Sequence, residues 1–268
     1  MTTFCYDLSR ELISFDFYGW LVRVKSLGAT EITFDTSPQL VTPWSPEVVR
    51  RRFESIIAPG PALLGLPSRE GSDGERLGVG CSRLGHLVKA AKLAPLPRLK
   101  SLWLPAHERY TVTLRQQKRK SPFRNSNEYA WRTFAEEIGA FVIEDYDVKP
   151  IHIYQRMAFY AGAEMNFGVS NGPMVMCSLS AYPCMVFANG RGSDQREVMR
   201  KYGMPYGTNA PWCGPEQFML WDDDDLGTIR RHFQVWKEYR DGLSQNTKSE
   251  NRSDGRERLD PSNRASGG

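Results

Sequence analysis

One turn of this 268-residue chain carries the residue types from which proteins build anion sites. The segment Asn166–Ala188, NFGVSNGPMVMCSLSAYPCMVFA, has the pattern of a strand, a tight turn, a short helix and a second strand. Pro173 suits the first helical position because it has no N–H group to leave unpaired, and Gly172 and Asn171 suit the cap and turn. Free N–H groups and the positive dipole end at a helix start attract anions. The pattern predicts either a phosphate site or an ordinary cap without ligand, and the residues alone favour neither.

A second feature is a run of basic residues that follows an earlier predicted strand. Between Arg115 and Arg132 there are six basic residues and one acid, Glu128. Arg115 directly follows the strand, which would bring its guanidinium, a planar group suited to phosphate oxygens, to the carboxyl edge of a sheet. The loop before the next helix adds one charge, two amides and a hydroxyl: Arg124, Asn125, Ser126 and Asn127. These residues predict an anionic ligand, and a solvated basic loop capped by Ser126 or Asn127 is the alternative.

The two segments resemble a known family. SNGPMVMCSLSAYPCMVFA resembles the late motif of GT-B glycosyltransferases, especially the ADP-heptosyltransferase group, and TVTLR is similar to the strand-then-arginine motif of O-fucosyltransferases. The resemblance covers about residues 108–240. It implies that Arg115 contacts the donor phosphate and that one turn holds the diphosphate of a nucleotide sugar: Asn171, Gly172, Pro173 and Met174. The chain departs from the family at Val175, where those transferases usually carry histidine.

The resemblance implies a glycosyltransferase that moves a sugar from a nucleotide-diphosphate sugar to an acceptor hydroxyl without a metal. The nucleotide sugar would be a co-substrate, so no bound cofactor is expected, and the acceptor is undetermined. Glu144 and Asp145 follow a predicted strand and would contact the nucleoside, although simple solvation explains two acids there equally well. A non-catalytic nucleotide-sugar-binding protein and a sugar-nucleotide epimerase of the same fold are the alternatives.

Inverting sugar transfer needs a base that accepts the proton of the acceptor hydroxyl. In GT-B enzymes this base comes from the first domain, near the loop after its first strand, so the resemblance points to Asp7 and Asp16. Asp16 is preferred because Phe15 and Phe17 flank it, which predicts partial burial at a helix start. Acids and serines are also common helix caps, so a structural role for Asp16 or Ser14 is the alternative.

Neither a metal site nor a disulfide is expected. The acidic run Asp222–Asp225 lies directly before the last predicted helix, where acids complement the helix dipole. The four histidines are scattered, with no pair at positions i and i+4. The five cysteines are an odd number without a C-x-x-C pair, which predicts buried thiols in a reducing compartment.

The elements that position these residues alternate between strands and helices, the pattern of βαβ units around a parallel sheet. Predicted strands cover Thr3–Tyr6, Glu31–Phe34, Arg76–Cys81, Tyr110–Leu114, Phe141–Ile143, Met165–Val169 and Cys184–Phe187. Predicted helices cover Phe15–Ser26, Pro46–Ile57, Leu84–Leu93, Asn127–Ile138, Pro150–Ala163, Pro173–Ser180 and Asp225–Tyr239. We predict an α/β fold with two Rossmann-like halves, residues 1–100 on the acceptor side and 101–243 on the nucleotide-sugar side, and a disordered tail, 244–268.

The composition supports a globular chain, because 40% of the residues are hydrophobic and a chain of this length can bury a substantial core. The net charge of +4 is too small to indicate a nucleic-acid partner. Phe123 is the only aromatic side chain in the basic stretch 115–124, whereas single-strand binders stack bases on several. No run of about 18 apolar residues predicts a membrane span, and the N-terminus lacks a signal pattern, so a cytoplasmic location is expected.

Overall fold

The described residues form a mixed α/β fold with parallel sheets of three and five strands, which confirms the predicted α/β class and its parallel sheets. The structure is a computed structural model and describes residues 1–11, 13–37, 42, 44–77, 84–116, 124–144, 149–188, 197 and 199–253. Met1–Asp225 form one compact unit, and a second unit begins at Leu226. Among the described residues, no helix has the length and apolar character needed to cross a membrane. The predicted domain boundaries stay predictions.

The first sheet is small and entirely parallel. It consists of β1 (Thr3–Asp7), β2 (Glu31–Asp35) and β3 (Ser68–Glu70), in that order. β1 and β2 pair in register along their whole length, so the acids that end these two strands are neighbours at the carboxyl edge. Helix α1 (Asp16–Ser26) connects them and buries an apolar face that includes three aromatic side chains of its first turns, Phe17, Tyr18 and Trp20.

The other helices of this half follow the capping signals of the sequence. Helix α2 (Pro46–Arg52) begins at Ser45, whose hydroxyl caps the first turn. It continues as a π-helical turn, Phe53–Ile57, and then a 3₁₀ turn, Gly60–Leu64. Helix α3 (Leu84–Leu93) has the predicted bounds. The predicted end near Ile57 is therefore confirmed, because the chain leaves this helix at a proline and a glycine.

The second sheet has the strand order β5-β4-β6-β7-β8, and every neighbouring pair is parallel. Its strands are β4 (Tyr110–Leu114), β5 (Phe141–Glu144), β6 (Met165–Val169), β7 (Cys184–Phe187) and β8 (Gln217–Leu220). Every residue of β4, β6 and β7 is buried. Strands of a parallel sheet that is covered on both faces show this pattern, which explains their nearly continuous apolar sequences.

Three helices of this half connect the strands: α4 (Glu128–Ile138), α5 (Ile153–Gly162) and α6 (Gly172–Leu179). Asn127 caps the start of α4, and Gly139 ends it with φ of 64°. That left-handed conformation favours glycine, so the predicted end of the helix is confirmed.

Two short strands, β3 and β8, are not predicted from the sequence. The three residues of β3 are exposed and include no apolar side chain, and β8 is a four-residue strand behind a loop rich in proline and glycine. Both therefore lack the alternation that identifies a strand. The predicted strand Arg76–Cys81 is not found at Arg76 and Leu77, and 78–81 lie outside the described residues.

The last helix, α7 (Leu226–Ser253), is longer than predicted. It continues beyond Tyr239 into the segment for which we predict disorder, as far as Ser253. The rest of the predicted tail, 254–268, lies outside the described residues.

Candidate functional site

The order of the second sheet contains a switch point between β4 and β6. β5 lies on one side of β4, and the strands from β6 onward lie on the other. In open parallel sheets, ligands bind outside the carboxyl ends of the strands at such a point. Arg115 follows β4 and Ser170 follows β6, and the two strands pair directly. The structure thus brings the two segments predicted to bind an anion to one edge, at the switch point.

The turn after β6 is a capped helix start. The side-chain oxygen of Asn171 accepts a hydrogen bond from Met174 N at 2.9 Å, and its carbonyl accepts one from Val175 N at 3.1 Å. Pro173 has no N–H group. Among the described residues, no protein acceptor is bound to the N–H of Gly172. The helix start therefore caps itself and still presents one N–H and its positive dipole end to an anion.

The position of Gly172 has no room for a side chain. A Cβ at this position would lie 2.4 Å from Phe15 Cβ and 3.0 Å from Phe15 Cγ. Phe15 directly precedes α1, so the loop after β1 of the first half rests on the turn of the second half. The N-terminus of α1 and the N-terminus of α6 therefore meet at the candidate site.

Arg124 supplies a cation beside this turn. Its Nη2 donates to the carbonyl of Ser170 at 3.3 Å, and its side chain is half-buried. Burial lowers the pKa of the Arg124 guanidinium, and the negative charge of Asp16 opposes that effect. In the part of the chain that the structure describes, no carboxylate lies within 4 Å of this guanidinium. Arg124 is therefore a cation without a close counter-ion among the described residues.

Arg115 holds the loop that carries Arg124. Its backbone N donates to Ser126 Oγ at 2.9 Å, and its Nη1 donates to Asn125 Oδ1 at 2.8 Å. Its carbonyl accepts from Ser126 N at 3.0 Å. Asn125 and Ser126 are thus engaged with Arg115, and the contacts of these three residues set the position of the loop.

Asn127 links the same loop to the end of β8. Its side chain accepts from Ala130 N at 3.5 Å, and its backbone N donates to Asp224 Oδ2 at 2.7 Å. The same carboxylate oxygen accepts from Trp131 Nε1 at 2.9 Å, and Asp224 is fully buried. The dipole role that we expect for the acidic run does not describe Asp224, which instead anchors the start of α4. No local signal in the run distinguishes this acid from its neighbours.

Asp16 lies at the site but is exposed, so the predicted burial is wrong. Phe17 is buried and Phe15 is half-buried, and the carboxylate between them projects outward at the first residue of α1. Ser14 Oγ donates to Asp16 Oδ2 at 3.2 Å and accepts from Asp16 N at 3.3 Å. Asp16 is therefore an accessible carboxylate next to the contact between Phe15 and Gly172.

Asp7 is buried at the end of β1 and engaged in several polar contacts. Burial raises the pKa of Asp7, but hydrogen bonds from Ser9 and the charge of Arg76 outweigh it and hold the pKa below its usual value. Arg76 donates to Asp7 Oδ2 at 2.5 Å and to Asp35 Oδ2 at 2.5 Å, and thus joins the ends of β1 and β2. A carboxylate with a lowered pKa is a weak proton acceptor, so Asp16 is the better candidate for a base.

Glu144, at the end of β5, forms an ion pair with Arg132. Arg132 also binds Glu128 at 2.9 Å, one helical turn away. Asp145, the other acid predicted to contact the nucleoside, lies outside the described residues, as do Lys118, Arg119 and Lys120 of the basic cluster.

Sequence reasoning does not identify Arg156, a fully buried arginine of α5. Its guanidinium carbon lies 5.5 Å from the centre of the Phe15 ring, and its Nη1 donates to Tyr160 OH at 3.2 Å. Burial raises the pKa of Tyr160 to about 12, so the phenol is neutral. Arg156 therefore packs on the ring of Phe15, the same side chain that lies against Gly172. An isolated arginine in an amphipathic helix carries no signal that would predict this contact.

Among the described residues, no group of three or more histidine, cysteine, aspartate or glutamate side chains could hold a metal ion. No protein-family model, no curated protein and no solved structure matches this chain.

Proposed function

We propose that this protein is a metal-independent glycosyltransferase with a GT-B-like arrangement of two Rossmann-like halves. It transfers a sugar from a nucleotide-diphosphate sugar to an acceptor hydroxyl. The observation that carries the proposal is Arg124, a half-buried cation at the start of α6 that has no carboxylate within 4 Å among the described residues. Such a cation beside a helix N-terminus is suited to bind a diphosphate.

The leaving diphosphate is the group that most needs stabilisation. When the bond between the sugar and the terminal phosphate breaks, negative charge accumulates on the phosphate oxygen. Arg124, the N–H of Gly172 and the dipole of α6 stabilise that charge in fixed positions, which is the electrostatic form of catalysis. Arg115 acts with them through the loop that it holds.

Asp16 is proposed as the base. Its carboxylate is exposed at the start of α1, one residue from the side chain that packs on Gly172. It accepts the proton of the acceptor hydroxyl while the oxygen of that hydroxyl forms its bond to the sugar. Glu144 ends β5, the neighbour of β4, and Asp145 is the next residue of the sequence; both are proposed to contact the nucleoside.

A non-catalytic nucleotide-sugar-binding protein is the second candidate. The ion pair of Asp7 with Arg76 favours it, because that contact removes one of the two acids available as a base. Binding of the donor would need only the second half of the site, with Arg124 and the turn after β6.

Calorimetry with UDP, GDP and ADP and their sugar esters tests the proposal, followed by transfer assays on a panel of acceptors. Arg124→Met should weaken nucleotide binding by about 1.5–3 kcal/mol, the usual effect of losing a hydrogen bond to a charged group. Arg109→Met is the matched control, because Arg109 is exposed at the opposite end of β4. Asp16→Asn should lower turnover by about 10²–10⁴-fold without loss of donor binding.

A wild-type chain that binds no nucleotide would contradict both candidates. Tight binding without transfer, across donors and acceptors, would favour the binding protein over the enzyme.

A further inference from the structure

Asp16 and Arg124 approach the turn after β6 from the two halves of the chain. Phe15 packs against Gly172, and Asp16 is the next residue. Arg124 donates to the carbonyl of Ser170, two residues before Gly172. The negative charge of Asp16 raises the pKa of the Arg124 guanidinium, although burial lowers that pKa by more, so the two charges interact across the turn. An anion at this turn therefore lies near one cation and one carboxylate.

No described cation forms an ion pair with the carboxylate of Asp16. Its hydrogen-bond partner is the hydroxyl of Ser14, which carries no charge. In the described part of the chain, no arginine, lysine or histidine nitrogen lies within 4 Å of Asp16. A second negative group placed beside it would be repelled.

We infer that Asp16 is a charge filter at this site: its carboxylate weakens the binding of a free nucleoside diphosphate more than that of a diphosphate whose terminal phosphate is esterified. This inference rests on the proposed function and specifies its donor class. Asp16 thereby acts as a specificity-determining residue in addition to its proposed role as a base.

The chemical difference between the two ligands is about one negative charge. A terminal phosphate monoester carries about −1.5 to −2 at pH 7, whereas esterification by a sugar leaves one charge on that phosphate. At a separation of roughly 8 Å and an effective dielectric constant of about 40, the repulsion of this extra charge by Asp16 corresponds to an affinity difference of about twofold to sixfold. The effect is large enough to measure by calorimetry.

The test compares dissociation constants within matched pairs: UDP with UDP-glucose, GDP with GDP-mannose, and ADP with ADP-glucose. For the pair that binds, Asp16→Asn should tighten the free diphosphate about twofold to sixfold more than the ester, so the ratio of the two dissociation constants shifts toward the free diphosphate. Glu216→Gln is the control with the same change in net charge. Glu216 is exposed and precedes β8, at the opposite edge of the sheet, so this variant should leave the preference unchanged.

If Asp16→Asn still binds nucleotides and the ratio of the dissociation constants of diphosphate and ester is unchanged, this inference is overturned and the proposed function stands. A wild type that binds neither ligand would overturn both. If Asp16→Asn fails to fold, Asp16→Ser takes its place, because serine also removes the charge and is accepted at helix starts. It should shift the ratio of the two dissociation constants in the same direction, and an unchanged ratio would overturn the inference.

Discussion

Gly172→Ala should destabilise the protein, because Phe15 occupies the space that a methyl group would need. The new Cβ would lie 2.4 Å from Phe15 Cβ, an atom bonded directly to the backbone. Rotation of the phenyl ring does not move that atom, so α1 or α6 must shift. Overpacking of this kind costs about 1–3 kcal/mol. The φ of Gly172 is not in the left-handed region, so the contact and not backbone strain is the cause.

Urea unfolding followed by circular dichroism measures the effect as a lower midpoint at unchanged slope. Gly242→Ala is the control, because a Cβ at Gly242, in α7, would meet nothing within 4 Å. Alanine there should be neutral or stabilise by up to about 1 kcal/mol, as expected from helix propensity.

A second variant tests whether the Cβ of Phe15 is the atom that conflicts with a side chain at position 172. Phe15→Gly removes the opposing Cβ at a helix cap, a position where glycine is well tolerated. The double variant should therefore lose at least about 1 kcal/mol less than the sum of the two single variants. Additive losses, or a Gly172→Ala chain as stable as the wild type, would refute the packing explanation.

Three further predictions concern polar groups. Arg115→Ala should weaken nucleoside-diphosphate binding by about 1.5–3 kcal/mol. Arg115→Lys should recover only part of this loss, since an ammonium lacks the planar guanidinium that binds Asn125. Affinities of both variants equal to that of the wild type, measured by calorimetry, would contradict this prediction. Asp7→Asn should reduce the acid sensitivity of folding. Because the pKa of Asp7 is lowered in the folded state, the Asp7 carboxylate stabilises the fold above its ordinary pKa of 3.8, and this stabilisation is lost as the pH falls through the folded pKa. Urea unfolding of wild type and variant between pH 2 and about 6 would detect the difference. Asp224→Ala should cost about 2–4 kcal/mol in unfolding free energy, because two buried N–H donors lose their acceptor, and a loss below about 1 kcal/mol would rule out that role.

The sequence by itself determined the elements that rest on local signals. Strand β4 has its predicted bounds because β-branched residues alternate there, and the bounds of β6 and β7 follow from short apolar runs between turns. The starts of α4 and α6 follow from the asparagine before each helix. These signals act within a few residues, so no knowledge of the rest of the chain is needed to interpret them.

The sequence also placed Arg115 and the turn at Asn171 on strands of one sheet. Their meeting at a switch point depends on the order of the strands, which local patterns leave open. β8 was missed for a related reason, because a four-residue strand behind a loop acquires its identity by pairing with β7.

Only the tertiary structure decided which polar groups are available for chemistry. It turned Asp16 outward, joined Asp7 to Arg76 and buried Asp224 against the start of α4. It also brought Phe15 against Gly172, from opposite halves of the chain. The partners in most of these contacts are separated by tens of residues or more, and burial and charge depend on whichever groups the fold brings within a few ångströms. No pattern within one segment contains that information.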